Sequence, residues 1–543
     1  MNHRYDRTFL TSTLVLLTML NTLPAHAEYP ADNHIEEAKA FVAPRLIVGI
    51  TVNQLRSDYL YALQSRFTRG GFRLLMQEGV IYDQVTFDLD NPDATAAMAT
   101  LATGSYPYQH GIPSQLVFDV QTLQRHSIFQ DRDYPGVETA GNWSPRALQS
   151  STLGDELKLA SQLRSKVFSI APNAEEALIG AGHAANSAVW IDEKTGHWAS
   201  TSFYHEFPAS ATRQNLMPKE VLFCNLNTYL WNSPANSAGA DILAPYLTAS
   251  PIFSHKFAEY GKVNYDRVKT SPIVNDAIAM MAQQYIQNSR LGVAGSTDML
   301  QLTFYAGTYQ HQSLETYAGE LQDIYLQLDR TLEHLFQYIE KTVGLQNTFI
   351  YLIGTGATDT NVSDVPGINM GEFNANRCTA LLNSHLISLY GQGQWVDGFS
   401  DGQIYLNHKT IEQHNLNTEE VASKAAELVS LFSGIEEVYT QQQLLHKDYS
   451  QRISRIRNGY DKRTGGDLVV ILQSGWKLRL SDRSQPQSQV RHDIYPGPAI
   501  LFAPALFKAE RIATPVDATA IAPTVAKAIR IRAPSACRTL PIR

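Results

Sequence analysis

The sequence predicts an α/β fold: a three-layer α/β/α sandwich with a mostly parallel central sheet, an inserted cap and a small mixed-sheet subdomain. Three observations predict it. Short apolar runs rich in β-branched residues recur along the chain and read as buried strands. Amphipathic stretches of helical period alternate with them. Two stretches, about 185–270 and about 376–485, break that alternation.

The elements follow in order. Leu46 to Val52 is unbroken apolar or β-branched and reads as a parallel strand. Phe67 to Gly79 reads as a helix, with Phe72, Leu75 and Met76 on one face and Gly79 as the C′ stop. Ala94 to Ala102, rich in Ala, Met and Leu, reads as a tightly packed helix starting near Asp93 and Thr95. Leu153 to Leu163 is an amphipathic helix, and Val167 to Ala171 the next strand. A second pass gives helix Asn275 to Gln287, strand Met299 to Tyr305, long helix Leu314 to Thr342 and strand Thr348 to Gly354. Residues 185–270, rich in aromatics, Asn, Ser and Pro, read as an irregular cap over the strand ends. The stretch 376–485 carries strand 403–406, helix 419–432 and strands 435–440 and 467–472.

The first 27 residues read as a secretory signal. Arg4 and Arg7 precede the apolar Phe9 to Leu23, and Ala25-His26-Ala27 is a small-x-small cleavage site. The run is too short and polar for a membrane anchor. A mature chain starting at Glu28 is expected in the periplasm or outside the cell, with a polar lead over 28–42 and the α/β domain over 43–535. No later stretch is apolar enough to span a bilayer. A net charge of −8 with no basic stripe argues against nucleic acid. The three cysteines, Cys224, Cys378 and Cys537, are too dispersed for a disulfide framework or a zinc cluster.

Ligands of open α/β sheets bind beyond the carboxyl ends of the strands. Three such ends matter here: Asn53, Gly307 and Thr355-Gly356. Short phrases accompany them: Gly70-Gly71-Phe72, Pro92-x-x-Thr95, Thr103-Gly104-Ser105, His110-Gly111-Ile112, Ala181-Gly182-His183, Asn458-Gly459-Tyr460 and Ile521-Ala522-Pro523-Thr524. In order and spacing they resemble the alkaline phosphatase superfamily. The resemblance is closest to its phosphate-irrepressible alkaline phosphatases and its type I phosphodiesterase/nucleotide pyrophosphatase relatives, and it spans about residues 43–535.

That resemblance implies two zinc ions about 4 Å apart and a Thr or Ser nucleophile at a helix start. Residue by residue, the pattern is only partly kept. The Asp after the first strand is Asn53, a neutral and poorer ligand. Thr95 fills the nucleophile position. The Asp and His of Asp-x-x-x-His fall on Gly307 and His311, and the Asp-His-Gly falls on Thr355-Gly356-Ala357. His492 is the candidate for the last His. The Asn expected near the substrate falls on Gln115, and the phosphate-clamping Lys-x-Arg on Asn173 and Glu175. A Glu there would repel a phosphate dianion.

Plainer readings stand beside these. Thr95 is read first as an N-cap hydroxyl, and His311, His183 and His492 as ordinary structural or surface residues. Asp93 reads as part of a helix start, Lys462-Arg463 as a turn, and Asp359, Asp364 and Glu372 as loop residues rather than a displaced metal site. The expectation is a secreted superfamily member without catalysis or a zinc pair, kept for binding or scaffolding. Its pocket would be lined by Asn53, Thr95, Gln115, Glu175 and His311. Two alternatives are kept. One is an active zinc-dependent phosphomonoesterase or phosphodiesterase with a rebuilt site that recruits Asp93, Asp359 and Asp364 and uses Thr95. The other is a structural subunit of an envelope complex that uses the aromatic cap, including Trp231. The partner is expected to be a small molecule or an envelope protein.

Overall fold

Strand β1, Leu46–Asn53, is buried along its whole length, and its side chains alternate between two cores. Val48, Ile50 and Val52 join one apolar cluster, and Ile47 joins the other. A strand that buries both faces needs cover on both, which makes a third layer obligatory. In a computed structural model the chain is described over residues 42–90, 93–216, 225–234, 252–293, 295–312, 314–356, 371–446, 450–480, 487–488 and 496–543. The proposed signal segment, Cys224, Asp359, Asp364 and His492 lie outside the described residues. Ala43–Arg543 forms one compact unit.

The other central strands are β2 (Val80–Thr86), β3 (Val167–Ala171), β4 (Ser187–Ile191), β5 (Trp198–Thr201), β6 (Asp298–Tyr305), β7 (Thr348–Gly354), β8 (Gly497–Phe502) and β9 (Glu510–Ile512). They run in the order β9-β2-β8-β7-β1-β6-β3-β4-β5. The pairs β7–β1, β1–β6, β6–β3, β3–β4 and β2–β9 are parallel, while β8 is antiparallel to both β7 and β2. The sheet is thus mostly parallel, as expected, with one reversed strand set inside it. Strands β4 and β5 belong to this sheet although their residues fall within the stretch read as irregular cap.

The helices that matter for the site are α1 (Ala94–Thr103), α2 (Ala174–Ala181), α3 (Pro272–Asn288), α4 (Leu314–Thr342) and α5 (Gln451–Asn458). On one face, Ile278 of α3 and Leu328 of α4 pack with Ile50 and Leu302. On the other, Ala97 and Leu101 of α1 pack with Ile353, Leu501 and Val525. Gly49 lies beneath a Gln301–Tyr351 hydrogen bond that crosses the sheet, and any Cβ there would strike both side chains.

Two expected helices are shorter than read. The helix read from Phe67 begins at Phe72, because Asp329 of α4 takes the Thr68 and Phe72 amides at 2.6 and 2.7 Å and holds the Gly70-Gly71 turn open. Its Gly79 cap is extended (φ −94°), not left-handed. The helix from Leu153 stops at Ala160, where Gln162 and Leu163 turn to positive φ.

The subdomain has its own four-strand sheet, ordered Val396–Ser400, Gln403–Leu406, Leu468–Leu472, Ile435–Thr440. Helices Ala375–Tyr390 and Thr418–Val429 cover it, with Leu382, Leu386 and Val421 against Ile404 and Leu468. The first of these helices was not expected from the sequence pattern. Basic side chains tie this unit to the main sheet. Arg452 meets Asp90 at 2.9 Å, Arg455 donates to the Leu89 carbonyl at 2.7 Å, and Arg463 donates to the Gly111 carbonyl at 2.9 Å.

Candidate functional site

The register places the chemistry. Asn53 pairs with Tyr305 across β1 and β6, so the ends of both strands open onto one rim, with Thr355 just beyond β7 beside them. At that rim Asn53 is 7% exposed. Its Nδ2 donates to Glu176 Oε1 at 2.5 Å. Glu176 Oε2 accepts from the Asn173 amide at 3.3 Å, and Asn173 Oδ1 accepts from Lys269 Nζ at 3.0 Å. Burial pushes the Glu176 carboxyl up to about 7, with Asn173, Asn53 and Lys269 pulling the other way. Burial also lowers Lys269, against the nearby carboxylates of Glu193, Glu176, Asp266 and Glu175. Asn53 Oδ1 is buried without a hydrogen-bond partner among the described residues.

The other rim positions are occupied by local contacts. Gln54 adopts a left-handed backbone (φ 61°), and its amide donates to Thr355 Oγ1 at 2.9 Å. Its side-chain oxygen fills the space that a Cβ on residue 307 would need, so Gly307 is the residue that fits there. Gly356, at φ 64°, donates its amide to the Leu55 carbonyl at 3.2 Å. His311 is exposed, with Nδ1 3.5 Å from the Tyr305 hydroxyl, which itself donates to the Thr308 carbonyl at 2.6 Å.

A zinc pair needs converging anionic ligands to offset its charge. An amide bonded to a carboxylate, two glycines, a threonine hydroxyl accepting from Gln54 and one exposed imidazole do not supply them. Among the described residues, no group of three or more His, Cys, Asp or Glu side chains is placed to hold a metal ion. The described residues at this rim do not fit the group that the resemblance implies.

At the start of α1 the cap is Asp93, not Thr95. Asp93 Oδ1 accepts from the Ala96 amide at 2.7 Å, and Oδ2 accepts from the Gln115 amide at 2.6 Å. Thr95 sits in the first turn, 8% exposed. Asp caps at least as well as Thr, and residue 93 holds the extended backbone a cap requires (φ −76°, ψ 169°). Burial raises the Asp93 carboxyl to about 6, opposed by backbone donors and reinforced by Asp401. No further His, Cys, Asp or Glu side chains among the described residues group with Asp93 into a set of three that could hold a metal ion.

The hydrogen bonds of the expected pocket residues fall into two groups. Asn53, Gly307, His311, Thr355 and Gly356 gather at the strand ends. Gln115 is exposed and belongs to the Asp93 side. Glu175 turns toward the hairpin Leu116–Ser127 and accepts from Ser127 Oγ at 3.0 Å. The acid that meets the rim is Glu176. An Asn-x-x-Glu pattern at 173–176 signals a helix start, which is the sequence trace it left. Lys269 left none. His183 is structural, set between Asp155 Oδ2 (3.3 Å) and the Leu148 carbonyl (3.1 Å). Glu372 pairs with Arg479. Trp231 is buried, and its indole N–H donates to Asp323 Oδ2 at 2.8 Å, so it anchors its segment instead of presenting a contact face.

The type I phosphodiesterase / nucleotide pyrophosphatase family matches residues 47–494 of the chain. A Myroides odoratus protein named calcium-transporting ATPase is 27% identical over 527 residues, 92% of this chain and 94% of that one. Alkaline phosphatase PhoV of Synechococcus elongatus is 27% identical over 512 residues, 91% of each. The crystal structure of alkaline phosphatase PafA superposes with a TM-score of 0.78 at 24% identity, covering 93% of this chain and 99% of that one, which shows a shared fold. The chain belongs to the type I phosphodiesterase / nucleotide pyrophosphatase family, within the alkaline phosphatase superfamily.

Proposed function

We propose that this protein is an exported member of the superfamily that has lost two-metal phosphate hydrolysis and serves in binding or scaffolding. The observation that supports this most is the Asn53–Glu176 hydrogen bond, which ties the first strand-end position to a neighbouring helix instead of to a metal. The Gln54 side chain over Gly307 supports it independently. Asn173 and Glu175 stand at the two clamp positions in place of the family's cations, and Lys269, the cation beside them, is bonded to Asn173 Oδ1.

The test is turnover of 4-nitrophenyl phosphate and bis(4-nitrophenyl) phosphate by the purified protein, with and without added zinc, beside Thr95→Ala. The expected result is no Thr95-dependent hydrolysis, and Thr95-dependent hydrolysis would overturn the proposal. A second reading, an active hydrolase with a rebuilt metal site, is favoured by the names of the relatives: PhoV and PafA are alkaline phosphatases matched over most of both chains. Asp359, Asp364 and His492 would be its ligand candidates. Export is tested separately: amino-terminal sequencing of the protein from its native host should begin at Glu28.

A further inference from the structure

Away from the strand-end rim, a cavity of about 310 Å³ opens between the start of α1 and the subdomain sheet, and Thr95 is not among its lining residues. One wall is apolar, built by Leu89, Leu116, Ile456, Val469 and Leu478. The charged lining is unbalanced: three carboxylates, Asp90, Asp93 and Asp401, against one guanidinium, Arg125. That guanidinium is already committed. Arg125 Nη2 lies 2.8 and 2.9 Å from the two oxygens of Asp401. Asp90 has its own partner in Arg452, at 2.9 Å. Asp93 differs from both. Its oxygens receive backbone N–H groups, and no basic side chain among the described residues pairs with it. A half-buried carboxylate with hydrogen bonds but no counter-charge is stabilised by a cation brought beside it.

We infer that this cavity is a binding site for a small organic cation, a protonated amine carried on an apolar body. The ammonium group lies at Asp93, and the apolar body lies against Leu89, Leu116 and Ile456. A volume of about 310 Å³ suits a ligand at the small end of ordinary pockets. An anionic ligand of the same shape meets the charge of Asp93 and is repelled. Because α1 and the subdomain both contribute walls, an occupant also bridges the two. The inference does not depend on whether zinc binds at the strand ends, so it fails or survives separately from the proposed function.

The probe is 2-phenylethylammonium, compared with neutral 2-phenylethanol and anionic phenylacetate, by isothermal titration calorimetry on the whole purified protein. Asp93→Asn keeps an N-cap and removes the charge, whereas Gln115→Trp fills the cavity from an exposed position whose backbone bond to Asp93 is unchanged. The ammonium probe should bind at least about tenfold more tightly than the alcohol, and Asp93→Asn should erase that preference. Gln115→Trp should abolish binding while its melting curve stays like that of wild type. Equal binding of ammonium and alcohol, unchanged binding by either variant, or no binding of the ammonium probe up to about 10 mM would each overturn the inference.

Discussion

The strand-end rim and the start of α1 make an instructive contrast. At the rim, several polar groups meet one another: Asn53 Nδ2 meets Glu176, the Gln54 amide meets Thr355 and Lys269 meets Asn173, while Asn53 Oδ1 has no partner among the described residues. At α1 the helix is capped from Asp93, which leaves Thr95 with no structural duty as the cap. A metal site must leave ligand atoms converging on a void, an arrangement that is costly without the cation because buried polar groups then lack partners. Once the charged ligands are gone, neighbouring donors and acceptors close on each other. A helix start has no such dependence, since its cap satisfies the backbone whatever the nucleophile does.

The sharpest way to break this contrast is Asn53→Asp. It removes a donor from Glu176 and sets a second carboxylate against it. We expect a loss of about 4 kcal/mol at pH 8 in urea unfolding, shrinking in acid as the pair takes up a proton. Adding Glu176→Gln should restore most of it. A gain in stability on Asn53→Asp with zinc present would mean that the rim still accepts metal.

Next comes the titration of Glu176 itself. Its carboxyl is raised to about 7 in the folded protein, above its usual value. Its contribution is therefore fully present in acid and is lost as pH rises through about 7. The stability of wild type relative to Glu176→Gln should fall by about 3 kcal/mol between roughly pH 4 and pH 8. A flat difference across that range would mean that Glu176 is solvated and the rim is open.

At the helix start the effects are smaller. Asp93→Ala should cost about 2 kcal/mol, and Asp93→Asn about 1 kcal/mol, because its Nδ2 cannot accept from the Gln115 amide while its oxygen keeps the cap. Thr95→Ala should change stability by less than about 0.5 kcal/mol. A larger loss for Thr95→Ala than for Asp93→Ala would restore Thr95 as the cap.

How much of this was legible in the sequence depended on range. Runs such as 46–52, 167–171 and 348–354 announce buried strands because both faces must be apolar, a local property. The start of the helix at Phe72 was not legible, because Asp329, 257 residues away, decides it. The substitutions at Asn53, Gly307, Thr355 and Gly356 could be read from motif spacing. What replaced the missing charge could not: Glu176 meets Asn53 across 123 residues, and Lys269 enters from a segment with no motif at all. Spacing fixes where Gln115 and Glu175 stand in the chain and not what they meet: the Gln115 amide donates to Asp93 and Glu175 accepts from Ser127.

Zinc content tests the account's central claim most directly. The purified protein, equilibrated with excess zinc and then desalted, should retain well below one zinc per chain by elemental analysis, because the described rim residues offer no converging set of anionic ligands. Retention of two zinc ions per chain, lost together on Asn53→Ala or His311→Ala, would contradict it.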